Sequence, residues 1–274
     1  MTDNHANNWA NLSRASRQEI ADMASALEER GRAPDQLEVN AALLRVLAPV
    51  AGDRLLEAGC GSGLLCRQVA PAIAPGGRIT GLDISPELLH IARNYASQAG
   101  LVDAIQWCAG KAEDLPFADA SFTAAFAARL FLHVSKPEVV LGELRRVLRP
   151  GGKLVALDWD FESVAVDHSD RNLTRCILHW RCDHYGGNNW SGRQLYRQMV
   201  SAGFSGLEVF PVVSVARGEL DSLTLSLFRA AQVTREGGGI TPNEQEAWVG
   251  ELRSALASGS FFASIVYFIV SGKR

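Results

Sequence analysis

Glu57-Ala58-Gly59-Cys60-Gly61-Ser62-Gly63-Leu64 is the stretch of this 274-residue chain best equipped for chemistry. Glycines at alternate positions let a ligand approach backbone amides with no Cβ in the way. Twenty residues beyond Gly63, Asp83 ends the next apolar run. An acid at that spacing can accept hydrogen bonds from both ribose hydroxyls of an adenosine. Dinucleotide loops read GxGxxG, whereas here the third glycine comes one position early and Leu64 fills the last slot. Glu57, two residues before the first glycine, would repel a pyrophosphate and attract a cation. Adenosine carrying a positive amino-acid or sulfonium group therefore fits better than adenosine with a diphosphate.

Such a loop works only between a strand and a helix, and the flanking pattern supplies both. Residues 54–58 read as a strand and 64–74 as a helix stopped by Pro75-Gly76-Gly77. Residues 78–83 form a second strand, after which Ser85 and Pro86 open a helix to Ala99. Strands follow at 105–109 and 122–128. Ser135 with Glu138 reads as a capping box for a helix to Leu148, and Pro150-Gly151-Gly152 separates it from a fifth strand at 153–159. Two helices, 17–30 and 35–47, precede the alternation. Strand–helix alternation of this kind implies right-handed crossovers and a mainly parallel sheet.

The rhythm breaks after Trp159. Residues 160–190 are too long for a simple crossover and read as an inserted helical cap. Ser191 with Gln194 opens another helix, 207–215 is a strand, and a second insertion at 218–260 carries helices near 220–232 and from Thr241 to about Ala257. The chain closes on a β-rich run at 261–271.

Charge narrows the ligand class. Twenty-seven Lys plus Arg against 30 Asp plus Glu leave a net charge of -3 with no basic stripe, which disfavours a nucleic-acid partner. The ten N-terminal residues are polar, and the most apolar stretch, 261–270, is too short to span a membrane, so a cytoplasmic protein is expected. Five cysteines without CxxC pairs read as reduced thiols, and no metal site is expected.

Four motifs in order carry a resemblance: Glu57-x-Gly59-x-Gly61-x-Gly63, Gly81-Leu82-Asp83-Ile84-Ser85, Ala112-Glu113-Asp114-Leu115-Pro116-Phe117, and Leu148-Arg149-Pro150-Gly151-Gly152. Together, over roughly residues 50 to 160, they resemble the class I S-adenosylmethionine-dependent methyltransferases. The likeness is greatest to the small-molecule branch that contains ubiquinone/menaquinone, sterol and natural-product enzymes. The resemblance implies an α/β fold with a Rossmann-like, doubly wound, seven-stranded sheet, mostly parallel with an antiparallel C-terminal strand, plus helical caps. It implies residues 1–50 as an N-terminal helical lid on a domain of 51–274. The implied cofactor is S-adenosyl-L-methionine, with S-adenosyl-L-homocysteine as product. Glu57, Gly59, Cys60, Gly61 and Gly63 would surround its methionine portion and Asp83 its ribose. Ile84 would pack on the adenine, Ala112 and Glu113 would line its edge, and Ala128 and Arg129 would close the pocket near the sulfonium. Where the family commonly has Asp before the Ala-Glu pair, this chain has Lys111, which offers no acceptor to the adenine amino group.

Methyl transfer asks mainly for alignment and exclusion of water, so no fixed catalytic motif is required. His133, directly after the fourth strand, and His179 and His184, in the first cap, are the candidate catalytic bases. Asp158 and Asp160 end the fifth strand, with Asp158 also readable as a buried hydrogen-bonding group. Arg181, Asp183 and Tyr185 crowd the cap, and Trp9, Trp159, Trp180 and Trp190 are candidates for an aromatic cavity wall. The expected activity is methylation of O, N or C on a small, hydrophobic metabolite. The alternative is a methyltransferase-fold cyclase or pericyclase that binds the cofactor without transferring its methyl group. A small-molecule substrate is the expected partner, without nucleic acid or a membrane span, and homo-oligomerisation is left open.

Overall fold

The computed structural model describes residues 15–184 and 186–274, so Trp9 and Tyr185 lie outside the described residues. β1 (Arg54–Ala58), β2 (Arg78–Asp83), β3 (Ile105–Ala109) and β4 (Phe122–Ala128) coincide with the four runs read from the sequence. They pair in parallel in the order β3-β2-β1-β4. β5 (Leu148–Val166) continues the parallel set beside β4. β7 (Ala263–Lys273) then inserts between β5 and β6 (Ser205–Ala216), antiparallel to both. The complete order is β3-β2-β1-β4-β5-β7-β6.

β5 is longer than the expected 153–159 because a distant partner extends it. Asp158, Trp159 and Asp160 pair with β7, the register slips, and Ala165 and Val166 pair again. Ser163 seals the slip: its hydroxyl accepts from the Val266 amide at 2.8 Å and donates to the Asp160 carbonyl at 2.6 Å. Seven residues expected in the cap, 160–166, thus belong to the strand, and cap helix α6 (Arg171–His184) starts only after them.

Nine helices among the described residues cover the sheet. α2 (Pro34–Leu47), α3 (Leu64–Val69) and the cap helices α6, α8 (Ser222–Glu236) and α9 (Pro242–Ser258) share one core, to which Leu55 of β1 contributes. α5 (Pro137–Val147) and α7 (Ser191–Ser201) share the other, to which Leu56 contributes. Neighbouring strand residues serve opposite faces, as the pleat requires. α3 gives way to a 3₁₀ turn, Ala70–Ile73, where Pro71 has no N–H to continue an α-helix. None of the described helices is long and apolar enough to cross a membrane.

Two capping expectations are corrected. Pro137 takes the first helical position of α5, which makes Lys136 the N-cap, and Ser135 forms no capping box. Ser191 is likewise inside α7 and buried, with Trp190 at the N-cap. Reciprocal capping boxes do form at Ser16/Glu19, ahead of α1 (Arg17–Arg32), and at Thr241/Glu244, ahead of α9.

The two N-terminal helices are held differently. α2 is part of the core, with Val39, Leu43 and Leu47 fully enclosed. α1 rests on α4 (Pro86–Gln98) through a small cluster of Ile20, Ala24 and Leu88. Its main anchor is Glu28, only 4% exposed, which accepts from Arg67 of α3 at 2.7 Å and from the Ser62 hydroxyl at 2.6 Å. Because that contact ties α1 to the glycine loop, Glu28→Ala should loosen α1 selectively. A loss of about 2 kcal/mol follows for a buried, hydrogen-bonded charge left unpaired. Hydrogen exchange should rise in residues 17–32 while β1 and β4 stay protected; uniform exchange across the chain would contradict the tether.

Candidate functional site

The turn from β1 into α3 is a lattice of close contacts. Gly59, Gly61 and Gly63 all adopt left-handed backbone, with φ of 73°, 52° and 72°. A Cβ on Gly63 would sit 2.3 Å from the Trp107 ring, so this glycine serves packing of α3 on β3 and does not line the cavity. Gly59 and Gly61 face it, under Leu130 and Leu27. The loop is closed by the Gly59 and Cys60 amides, which both donate to the Leu82 carbonyl, at 2.8 and 2.9 Å.

Two carboxyls flank this turn from adjacent strand ends. Asp83, 6% exposed, accepts from the Gly61 amide at 2.8 Å and from the Ser85 amide at 3.0 Å. Burial nevertheless lifts its carboxyl above the ordinary range. Glu57, 3% exposed, accepts from the Cys66 thiol at 2.9 Å. Burial first, and the nearby Asp83 charge as a lesser cause, push its carboxyl to about 8, although the Cys66 hydrogen bond pulls the other way. Cys60 and Cys66 are buried beside it, and burial raises both thiols, Cys60 to about 11. Both sulfurs sit where a Cβ on Gly81 would fall, at 2.9 and 3.0 Å. This is the inert thiol environment, not a reactive one. Among the described residues, no cluster of His, Cys, Asp or Glu could hold a metal ion.

The cavity around these groups has a volume of about 220 Å³. Ten of the eleven cofactor-binding candidates line it: Glu57, Gly59, Cys60, Gly61, Asp83, Ile84, Ala112, Glu113, Ala128 and Arg129. Lys111 also reaches its rim, but the residue is exposed and its carbonyl accepts from the Asp114 amide. Ile84 presents a half-exposed apolar side chain beside Asp83.

The catalytic candidates separate. His133 lines the cavity, and burial, helped by the Arg30 charge, pushes its imidazole down to about 4, so it is neutral at physiological pH. His179 and His184 do not line this cavity and lie on the exposed side of α6. The helix turns Thr174, Ile177, Leu178 and Arg181 inward against its neighbours, and 3.6-residue periodicity leaves the histidines outside. His184 is stacked on Trp180 at 4.6 Å. Trp190 is largely exposed, and Trp180 packs over Gly237 and Gly239. Asp160 is committed to Arg193 at 2.7 Å. Asp158 is fully buried and accepts from the Leu132 and Trp159 amides at 3.0 and 3.1 Å; burial raises its carboxyl to about 7.

No sequence signal singled out which residues of the N-terminal helices face the cavity. Leu27, Arg30 and Gly31 of α1 and Asn40 of α2 all line it. Arg30 near a helix C-terminus is indistinguishable, in sequence, from a charge that complements the helix dipole.

Comparison with known proteins agrees with this geometry. A family model described as a methyltransferase domain matches residues 56–156, which cover the glycine loop, Asp83 and the start of β5. An uncharacterised 37.1 kDa protein in transposon TN4556 of Streptomyces fradiae is 30% identical over 272 residues, 98% of this chain and 77% of that protein. The 2-phytyl-1,4-naphtoquinone methyltransferase of Synechococcus elongatus is 39% identical over 107 residues, 39% of this chain. The match spans 46% of that enzyme's length. The crystal structure of the [4+2]-cyclase SpnF shares the fold, with a TM-score of 0.55 and 22% identity, over 86% of this chain and 80% of its own. Residues 56–156 are thus a methyltransferase domain, of the kind that takes S-adenosylmethionine as cofactor, set on a Rossmann-like sheet ordered 3-2-1-4-5-7-6.

Proposed function

We propose that the protein methylates O, N or C of a small metabolite. The observation that carries the reading is the pair of desolvated carboxyls, Glu57 and Asp83, around a glycine turn. Two such groups call for positive charge and hydroxyl donors, and they would repel a diphosphate. S-adenosylmethionine offers both, together with a methyl group activated on a positive sulfur. In this reading Glu57 holds the ammonium, Asp83 the ribose hydroxyls, and Gly59, Cys60 and Gly61 the methionine backbone. Ile84, Ala112 and Glu113 frame the adenine, and Ala128 and Arg129 bound the reacting end. Gly63 acts behind them through packing on Trp107. Arg30 is on the same face of α1 as Leu27, which touches Gly61, and so supplies a cation for the cofactor's carboxylate. The N-terminal helices and the two caps enclose the acceptor and exclude water. His133, neutral at pH 7, accepts a hydrogen bond from an acceptor hydroxyl.

A second reading keeps the cofactor and drops methyl transfer, leaving a shaped pocket for a cyclisation. The fold shared with SpnF and the missing acceptor at Lys111 favour it. Incubation with methyl-labelled S-adenosylmethionine and a panel of phenols, quinols, amines and polyenes separates the two. Labelled product is expected, and conversion of a substrate without label would select the cyclase.

Binding of S-adenosylhomocysteine should release protons. At pH 6.5 Glu57 is protonated in the free protein, and an ammonium beside it favours the ionised form. Calorimetry in two buffers of different ionisation enthalpy should show release approaching one proton, absent in Glu57→Gln. Asp83→Asn should weaken binding by roughly tenfold or more, as loss of a charged hydrogen-bond acceptor implies. Equal affinity in Asp83→Asn would remove the ribose assignment.

Glu57 also sets a pH dependence on stability without ligand. Its folded value of about 8 lies above the ordinary 4.5, so between those pH values the folded chain keeps a proton that the unfolded chain gives up. Stability therefore falls as pH rises through that window. The melting temperature of Glu57→Gln should gain on the wild type from pH 5 to pH 8; a difference constant with pH would contradict the buried-acid assignment.

A further inference from the structure

Arg129 carries a charge that the cofactor's single carboxylate, assigned to Arg30, does not account for. It follows β4 at the carboxyl end of the sheet, where open α/β sheets take their ligands. Its backbone is left-handed, with φ of 59°, an unusual conformation for a large side chain. The Arg129 amide donating to the Leu157 carbonyl at 2.7 Å holds it there. Backbone of this kind persists where the surroundings impose it, and it concentrates at ligand sites.

The guanidinium is fixed but not neutralised. Its Nη2 donates to two amide oxygens, Gln36 Oε1 at 2.7 Å and Asn40 Oδ1 at 3.2 Å. Gln36 is fully buried and is itself held, donating to Asp35 and to the Tyr267 hydroxyl, each at 3.2 Å. The guanidinium carbon lies 5.5 Å from the Tyr267 ring centre. Arg129 Nε is buried with no hydrogen-bond partner. Among the described residues, no carboxylate forms an ion pair with Arg129 or with its neighbour Arg30. Asp158 is an acid whose charge acts on both, but it is occupied by two backbone amides and is itself pushed toward the neutral form. Two half-buried cations thus face one cavity whose cofactor brings a single carboxylate. A partly desolvated guanidinium whose Nε is buried without a partner gains from an anion, and the second arginine calls for a second one.

We propose that Arg129 is a specificity-determining residue that receives an anionic oxygen of the acceptor, either a carboxylate or an ionised phenol or enol. The proposal rests on the methyltransferase reading for the identity of the first anion. Neutral amides as anchors keep the guanidinium in place while leaving its charge for the ligand.

The test uses the intact protein, with and without saturating S-adenosylhomocysteine, and two pairs of probes matched in shape. These are benzoate against benzamide, and 4-nitrophenol against 4-nitroanisole. The wild type should bind the anion of each pair about tenfold or more tightly than its neutral partner, and the absorption of bound 4-nitrophenol should report a pKa lowered by about one unit or more. Preference for benzoate alone assigns a carboxylate, and a lowered phenol pKa assigns an ionised hydroxyl; either supports the role of Arg129. Arg129→Gln should abolish the preference, whereas Arg30→Gln should keep the preference and weaken S-adenosylhomocysteine binding. Should Arg129→Gln fail to fold, the nitrogen-15 resonance of Arg129 Nε in the wild type decides, since it should move with benzoate and not with benzamide. No preference for anions in the wild type, including no binding of either member of both pairs, overturns the proposal. So does a preference that survives in Arg129→Gln, or one lost only in Arg30→Gln. Failure of S-adenosylhomocysteine to bind would instead remove the methyltransferase reading, and the cofactor-free titration would still decide the anion site.

Discussion

Burial of two acidic side chains at neighbouring strand ends is the constraint from which the site follows. Glu57 and Asp83 end up side by side because β1 and β2 are parallel and in register, with Glu57 opposite Gly81 and Ala58 opposite Leu82. Water cannot solvate either carboxyl fully, so each takes what the turn provides. Asp83 takes the Gly61 and Ser85 amides, and Glu57 takes the Cys66 thiol. A thiol is a weak donor, which is why Glu57 is left closer to its neutral form and better placed to respond to an arriving cation. The glycine turn is shaped around the same requirement: its left-handed residues aim amides at Asp83 and Leu82 and keep Cβ atoms out of the cavity.

Positive charge is arranged in the opposite sense. It comes from elements outside the β1–β2 pair: Arg30 from α1 and Arg129 from the end of β4. Arg67 is the exception near the loop, and Glu28 neutralises it. The cavity is therefore polarised, acidic along the glycine turn and basic along its roof and the β4 end. A ligand with separated charges, positive toward Glu57 and negative toward the arginines, is matched along its length. The burial of His133 under Arg30 fits the same pattern, since a positive neighbour keeps the imidazole neutral.

The cofactor half was legible in the sequence because its signals are local. β1 to β4 are short apolar runs bounded by glycine, proline or acid, and the residues that must be glycine or acid fall within or beside them. β5 was underestimated because its last residues are held by β7, about a hundred positions later in the chain. Ser135 and Ser191 satisfied the capping pattern but lost to Pro137 and Trp190. Thr241 satisfied it and won, since Pro242 stands directly behind it at the first helical position. His179 and His184 were singled out by residue type alone. Which face of α6 points inward is decided by its packing on α8 and α9, which no window of a dozen residues contains. Arg30 had no local signal that distinguished it from an ordinary helix-end charge.

The same distinction between local and distant contacts explains where recognition of the acceptor can reside. Gln36 and Asn40 hold Arg129 from α2, and Asp35 on the same helix accepts from the Ser222 and Leu223 amides at the start of α8, at 2.9 and 3.2 Å. Tyr267, which accepts from Gln36, comes from β7. The position of one guanidinium thus depends on four segments widely separated in sequence: α2, the end of β4, α8 and β7. The family match at residues 56–156 contains only one of them. Apart from Arg30, the groups proposed to hold the cofactor lie in that stretch, whereas the groups that aim Arg129 lie almost entirely outside it, so the two can change independently. Separation of this kind lets a single fold keep one cofactor and vary its chemistry.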